Sequence, residues 1–436
     1  MYRLSRNMFA DGERAPMLID ARGLPLFYPT LFTTSQLRNA GAAVNTIINK
    51  LRDILVLLAW QARQSPPRDL AVEFAQGRFL SISDIVSIRD YAALNQRFVR
   101  ADPLQNARIS KAFLEGNVAS QQPLPVVGRE QHYNRLSTIA DYVEFVASTT
   151  TRHASSSAYA AEIACMARQL RKHRPRGLSR RSDREAVERT PSTELVNRFM
   201  AFSDVDFPAN PFRDRAVRLR NSIVFKMFYY TGMRCGELLS LRLDKVDLGD
   251  EPRVWVIRSQ DDPLDPRTNQ PSAKTRERPL PIPLHLSRDL NEYIFRYRAP
   301  IKAARKHPYL FVKHRHDEGE GQPLTISALG SIIAAMRRID PGFRALHPHS
   351  FRHYFNYQLS CAIDRHNAEA REDVGSAADV ISEGRELDMR AFLNGHWSRA
   401  SGEVYNRRHI QELSGLAAKA VQSNLLRKAA EGQDED

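Results

Sequence analysis

Cysteine is scarce in this chain. Three residues in 436, Cys165, Cys235 and Cys361, lie far apart and form no CxxC or Cys/His ligand spacing. That spacing indicates neither a disulfide framework nor a zinc site, and fits a reducing compartment. Long apolar runs are also missing. The longest, near Ile54 to Trp60, falls well short of a membrane span, and the opening MYRLSRNMFADGERAP has no apolar signal core. The expectation is a soluble, unsecreted, cytoplasmic protein with no membrane partner. Acidic residues are outnumbered, 50 Asp and Glu against 64 Lys and Arg, for a formal charge of +14 and a pI near 9.8. An excess of that sign favours a polyanionic partner, nucleic acid first; the plain alternative is a basic surface that only confers solubility.

No internal repeat is visible, and the length allows two or three domains. From Thr34 to about Arg63, Leu37, Val44, Ile47, Ile48, Leu51, Leu55 and Leu58 recur at helical spacing. Further helices are expected around Ser83–Gln96, Leu136–Ala147 and Ala158–Arg171, with no strand pattern between them, so the first part reads as mostly α. Residues 168–189, RQLRKHRPRGLSRRSDREAVER, are densely basic and hold Pro and Gly without an apolar period, which marks a tether. Beyond it, Leu219–Tyr230 reads as a helix broken by Thr231-Gly232, with a second helix opening near Arg234. Val254–Ile257 and Arg278–Ile282 read as two short strands around a polar, Pro-rich loop, followed by helices at Leu286–Tyr297 and Ile326–Arg338. The fold class expected is mainly α with a small antiparallel β-sheet. The division is an extension over 1–33, a helical domain over 34–172, a linker over 173–190, a second domain over 191–410, and a helix with an acidic tail over 411–436.

Several polar residues stand where chemistry can use them. Arg234, in TGMRCGELLSL, is placed in a first helical turn capped by Thr231. Its guanidinium can hold two phosphate oxygens, and Glu237, one turn on, can orient it; an ordinary surface Arg–Glu pair reads equally well. Lys274, in AKTRERPLPIP, precedes the second strand, where a lysine can protonate a leaving oxygen or simply stay solvated. His349 and Arg352, in HSFRH after Pro348, share a helix face. His353 lies on nearly the same face, yet no HExxH pattern accompanies the pair, and no metal is expected. His396 follows Gly395, and Tyr405 comes nine positions later. A phenol attacks well only with cations and hydrogen-bond donors beside it, and among fourteen tyrosines Tyr354 and Tyr357 are rival candidates.

Taken in order, TGMRCGELLSL, AKTRERPLPIP, HSFRH and GHWSRASGEVY resemble the successive boxes of the tyrosine recombinase, or phage integrase, family, over roughly Thr190 to His409. By position, the helical part before them is similar to that family's core-binding domain. The resemblance implies a site-specific DNA recombinase of a mobile element. Tyr405 attacks the scissile phosphate to form a 3′-phosphotyrosyl link, Arg234, Arg352 and His396 stabilise the charge, Lys274 protonates the leaving oxygen, His349 assists proton transfer, and Glu237 supports. It further implies double-stranded DNA bound at specific sites, a homo-tetramer on that DNA, the possible help of a DNA-bending accessory protein, and no cofactor.

The departures are Phe351 where the family usually has leucine, the run His353-Tyr354-Phe355, Trp397 after His396, and Cys235-Gly236 before Glu237. Asp364–Arg390 is longer than expected and reads as an inserted loop or helix. Two other functions stay open on the sequence: a type IB topoisomerase-like enzyme with the same chemistry, and a non-catalytic DNA-binding accessory protein.

Overall fold

The computed structural model describes residues 2–96, 125–151, 157–176, 190–315, 317–372, 380–397, 412–415, 417–419 and 421–423. The chain divides into two compact units, residues 1–9 with 13–180, and residues 10–12 with 181–436.

The first unit opens on an antiparallel hairpin, β1 (Arg3–Met8) and β2 (Arg14–Ile19), paired from Arg3↔Ile19 to Met8↔Arg14. Sequence reasoning did not anticipate it, because β1 (RLSRNM) is largely exposed and shows no apolar alternation. The helices are α1 (Phe27–Phe32), continued by a π-helical turn over Thr33–Arg38, α2 (Val44–Ala62), α3 (Leu70–Ala75), α4 (Ile82–Ala93), α5 (Arg129–Thr150) and α6 (Ser157–Lys172). The helix expected from Thr34 thus begins at Val44. Gly41, at φ +73, turns the chain, and Leu37 reaches the core from the preceding turn. Ile47, Leu51 and Ile54 of α2 pack with Leu136, Ile139 and Val143 of α5 in one buried cluster. A capping box of Ser81 and Asp84 starts α4.

The second unit contains α7 (Thr193–Phe202), α8 (Arg215–Thr231), α9 (Cys235–Leu239), the strands β3 (Val246–Asp247), β4 (Arg253–Val256) and β5 (Arg278–Pro281), then α10 (Leu284–Glu292) with a π-helical turn over Tyr293–Arg298, α11 (Ile326–Ile339), α12 (Pro348–Glu372) and α13 (Glu383–Asn394). The strands form an antiparallel sheet in the order β3-β4-β5, one strand more than expected. The fold is mainly α with small antiparallel sheets. Phe199 anchors the core by edge-to-face contacts with Phe225 at 4.9 Å, Phe343 at 5.0 Å and Phe351 at 5.5 Å. Phe351, the departure from leucine, therefore fills an aromatic cluster that holds the start of α12.

The stretch Asp364–Arg390 is not simply a surface insertion. Its first residues continue α12 to Glu372, and its last belong to α13, where Arg390 is fully buried. Arg390 donates to the Asn356 carbonyl at 3.0 Å and to Ser360 Oγ at 2.8 Å, which ties the two helices together. In the C-terminal segment the described residues from Glu412 are helical, and Tyr357 Oη donates to Glu412 Oε2 at 2.9 Å.

Candidate active site

The site is assembled around the C-terminus of α13. Gly395, at φ +65, ends that helix in the left-handed conformation; its N–H donates to the Phe392 carbonyl and that of His396 to the Ala391 carbonyl. The Asn394 carbonyl is left pointing outward at the negative end of the helix dipole, where cations are favoured. Arg234 Nη1 donates to it at 3.1 Å and Arg352 Nη2 at 2.6 Å. Arg352 Nη1 also donates to the Gly232 carbonyl at 3.0 Å. Arg352 is 1% exposed, while the Arg234 side chain keeps 34% of its surface open. The buried arginine is fixed, and the open one can still reach a ligand.

Arg234 is not in the first turn of α9, as the sequence implied, but is its N-cap residue, with extended φ/ψ and its N–H donating to Glu237 Oε2 at 2.8 Å. Thr231 does not cap that helix. It closes α8, donating to the Met227 carbonyl at 2.5 Å and accepting from Met233 N–H at 3.3 Å. Gly232, at φ +59, makes the turn between the helices, and a Cβ there would lie 2.6 Å from the Phe355 ring.

His396 Nε2 lies 3.2 Å from Arg352 Nη2. A guanidinium only donates, so Nε2 accepts and the ring proton sits on Nδ1. Burial, then the guanidiniums of Arg352, Arg234 and Arg278, push the imidazole down to about 4. His396 is therefore neutral at physiological pH, and its remaining N–H is a donor without a charge.

Glu237 serves Arg278 more than Arg234. The Arg278 guanidinium meets Glu237 Oε2 at 3.1 Å, with both side chains 1% exposed, whereas Arg234 Nη1 is 3.6 Å away. Thr275 Oγ1 donates to Glu237 Oε1 at 2.5 Å. Burial alone would raise the Glu237 carboxyl; Arg278 and the donors Thr275 and Arg234 N–H more than offset it and hold it below the usual carboxylate range. Arg278 Nε also donates to the Leu393 carbonyl at 2.8 Å, so one buried arginine ties α9, β5 and the end of α13 together.

Lys274 is exposed, between the buried residues Ala273 and Thr275. Its loop passes close to α9, because a Cβ on Gly236 would lie 2.6 Å from the Ser272 carbonyl oxygen. His349 is exposed in the first turn of α12, edge-on to His353 at 4.8 Å and stacked on His347 at 6.4 Å. Tyr405 lies outside the described residues. Of its rivals, Tyr354 is 3% exposed and packs on Tyr229 at 5.7 Å as a core residue. Burial, followed by Glu412, pushes the Tyr357 phenol up to about 12.

The structure thus joins Arg234, Arg352, His396 and Glu237 in one network, with Lys274 held through its neighbour Thr275. Sequence reasoning missed Arg278 and Asn394. The position of Arg278 four residues after Lys274 was visible, but nothing local marked it as the partner of Glu237.

Residues 192–363 match the model of the phage integrase family. Over 215 residues the chain is 25% identical to tyrosine recombinase XerC of Bacillus pumilus (strain SAFR-032), covering 49% of this chain and 54% of that protein. Over 195 residues it is 26% identical to tyrosine recombinase XerC of Staphylococcus carnosus (strain TM300), covering 45% and 51%. The chain spans about half the length of the curated relatives it matches. Among solved structures, XerH site-specific recombinase bound to palindromic difH substrate in a post-cleavage complex aligns over 90% of this chain and 93% of that one, at 16% identity and a TM-score of 0.47. XerA recombinase aligns over 87% and 92%, at 14% and 0.31. The match to the phage integrase family, over residues 192–363, falls within the unit that carries the arginine–histidine cluster.

Proposed function

We propose that the protein is a site-specific DNA recombinase that cleaves and rejoins double-stranded DNA through a 3′-phosphotyrosyl intermediate, with Tyr405 as nucleophile. The observation that carries this reading is the convergence of Arg234 and Arg352 on the Asn394 carbonyl beside neutral His396. Three donors thereby stand pre-organised at one helix end, and a scissile phosphate is the anion they suit. The Tyr405 oxygen forms the new P–O bond while its proton passes by way of His349. The bond from phosphorus to the 5′-oxygen breaks, and Lys274 supplies the proton that oxygen needs. The phosphodiester charge is conserved, and the covalent link keeps the bond energy for rejoining.

The cationic excess supplies the general attraction to DNA, and binding should weaken steeply with salt. Strand exchange requires two duplexes, so a homo-tetramer acting on paired sites of a mobile element in the cytoplasm completes the reading, with or without a DNA-bending accessory protein.

Covalent trapping tests it. Wild type and Tyr405→Phe are incubated with genomic fragments, denatured, and the attached DNA is sequenced. Attachment by wild type alone, at a recurrent sequence, is the expected result. Attachment that persists in Tyr405→Phe overturns the assignment of the nucleophile; none by either, with DNA binding intact, overturns the cleavage reading.

A further inference from the structure

The connection from β4 to β5 runs from residue 257 to 277 and ends in Lys274 and its neighbours. Loops of that length on a sheet edge are ordinarily the mobile part of a fold. This one has an interior of its own. Asp265 is fully buried and Arg267 is 7% exposed. They form a two-pronged pair, with Arg267 Nη2 to Asp265 Oδ2 at 2.8 Å and Arg267 Nε to Asp265 Oδ1 at 2.8 Å. The remaining terminal nitrogen, Nη1, donates to the Leu239 carbonyl at 3.0 Å and to the Leu324 carbonyl at 2.7 Å. Leu239 is the last residue of α9, the helix that Arg234 begins. The guanidinium also lies over the Tyr309 ring, 4.5 Å from its centre, and Tyr309 Oη donates to Asp262 at 2.7 Å in the same loop.

The far end of the loop is fastened as well. Thr275 holds Glu237 at 2.5 Å, Arg276 N–H donates to the Gly395 carbonyl at 3.1 Å, and the Arg276 guanidinium covers the Trp397 ring at 4.9 Å. Lys274 is thus an exposed cation on a backbone pinned at both sides.

We propose that Arg267, gripped by Asp265, is the positioning residue for Lys274: it fixes the loop to the end of α9 so that the ammonium stands ready for the leaving oxygen before DNA arrives. Arg267 itself touches no reacting atom. The inference rests on the reading of Lys274 as the general acid.

The test uses leaving-group chemistry. A nicked duplex oligonucleotide of the sequence recovered by covalent trapping is prepared with its ordinary 5′-oxygen and with sulfur in that bridging position. A thiol has a pKa of about 8.5, so the sulfur leaves as thiolate and needs no general acid. Rates of covalent complex formation are measured on both, with the full chain, for wild type, Lys274→Ala and Arg267→Lys. Lys274→Ala should lose about a hundredfold or more on oxygen and regain most of it on sulfur. Arg267→Lys, which keeps the charge but not the fork, should lose about tenfold on oxygen and recover on sulfur. Amide hydrogen exchange over 272–276 should quicken by about tenfold in the free variant.

Equal slowing of Arg267→Lys on both substrates marks a merely structural role and overturns the inference, as does unchanged cleavage of the oxygen substrate. Failure of sulfur to rescue Lys274→Ala overturns the general-acid reading itself, a separate result. Should Arg267→Lys not fold, Asp265→Asn, which loosens the same grip, must show the same selective rescue or the inference falls.

Discussion

Arg234 and Arg352 share one acceptor, the main-chain oxygen of Asn394, at 3.1 and 2.6 Å. Asn394 is the last residue of α13, and its own side chain is locked to Asn356 by hydrogen bonds of 2.7 and 3.0 Å. Glu237 Oε1 lies 3.6 Å from Arg234 Nη1, farther than the Asn394 oxygen that both guanidiniums bond. A helix end, fixed from behind by an amide pair, sets the separation of the two cations that an incoming anion would meet.

Arg352→Lys should cut covalent complex formation by about a hundredfold or more, because an ammonium cannot serve the Gly232 and Asn394 carbonyls and His396 together. DNA binding measured by gel shift should fall far less. Comparable losses in both assays would contradict the role given to the buried fork.

Glu237→Gln leaves Arg278 buried without its countercharge and should cost about 3–5 kcal/mol in denaturant unfolding. The carboxyl of Glu237 is held below its unfolded value. Its stabilisation is therefore complete above the unfolded pKa near 4.5 and is lost as pH falls through the lower folded value. Wild type should show this acid-side decline in stability, and Glu237→Gln should lack that component.

The His396 imidazole, pushed down to about 4, contributes stability that is fully present above the unfolded pKa of 6.5 and declines as pH falls toward 4. Between those limits the unfolded chain binds the proton and the folded one does not. An NMR titration should find the His396 ring neutral from pH 8 down to about 5. A ring that titrates near 6.5 would show that the surrounding guanidiniums do not control it.

Gly236→Ala introduces a methyl 2.6 Å from the Ser272 carbonyl oxygen, with no left-handed strain at the glycine itself. The backbone on the Lys274 side has to move. Cleavage should drop by about tenfold or more, in line with the sensitivity of positioned groups to small displacements. Thermal unfolding should shift only modestly. An unchanged cleavage rate would mean that the loop tolerates displacement.

The runs around Arg234, Arg352 and His396, which the structure brings together, were legible because the spacing within each is written in the covalent chain. So were α8, α11 and the start of α12, whose apolar periods or flanking Gly and Pro act locally. The hairpin β1–β2 was not, since its exposed strand carries no alternation, and the start of α2 was misplaced because Leu37 keeps helical phase across a break. The stretch from Asp364 looked inserted because its polar composition hides that Arg390 is buried between α12 and α13. What the sequence by itself determined is the list of chemical groups and their order. What only the tertiary structure decided is which groups touch. Arg234 meets Asn394 across 160 residues, Arg278 meets Leu393 across 115, and Arg352 meets Asn394 across 42. Contacts of that range arise from helix packing and from carbonyls exposed at a helix end, which any residue supplies, so no local pattern of side chains can announce them.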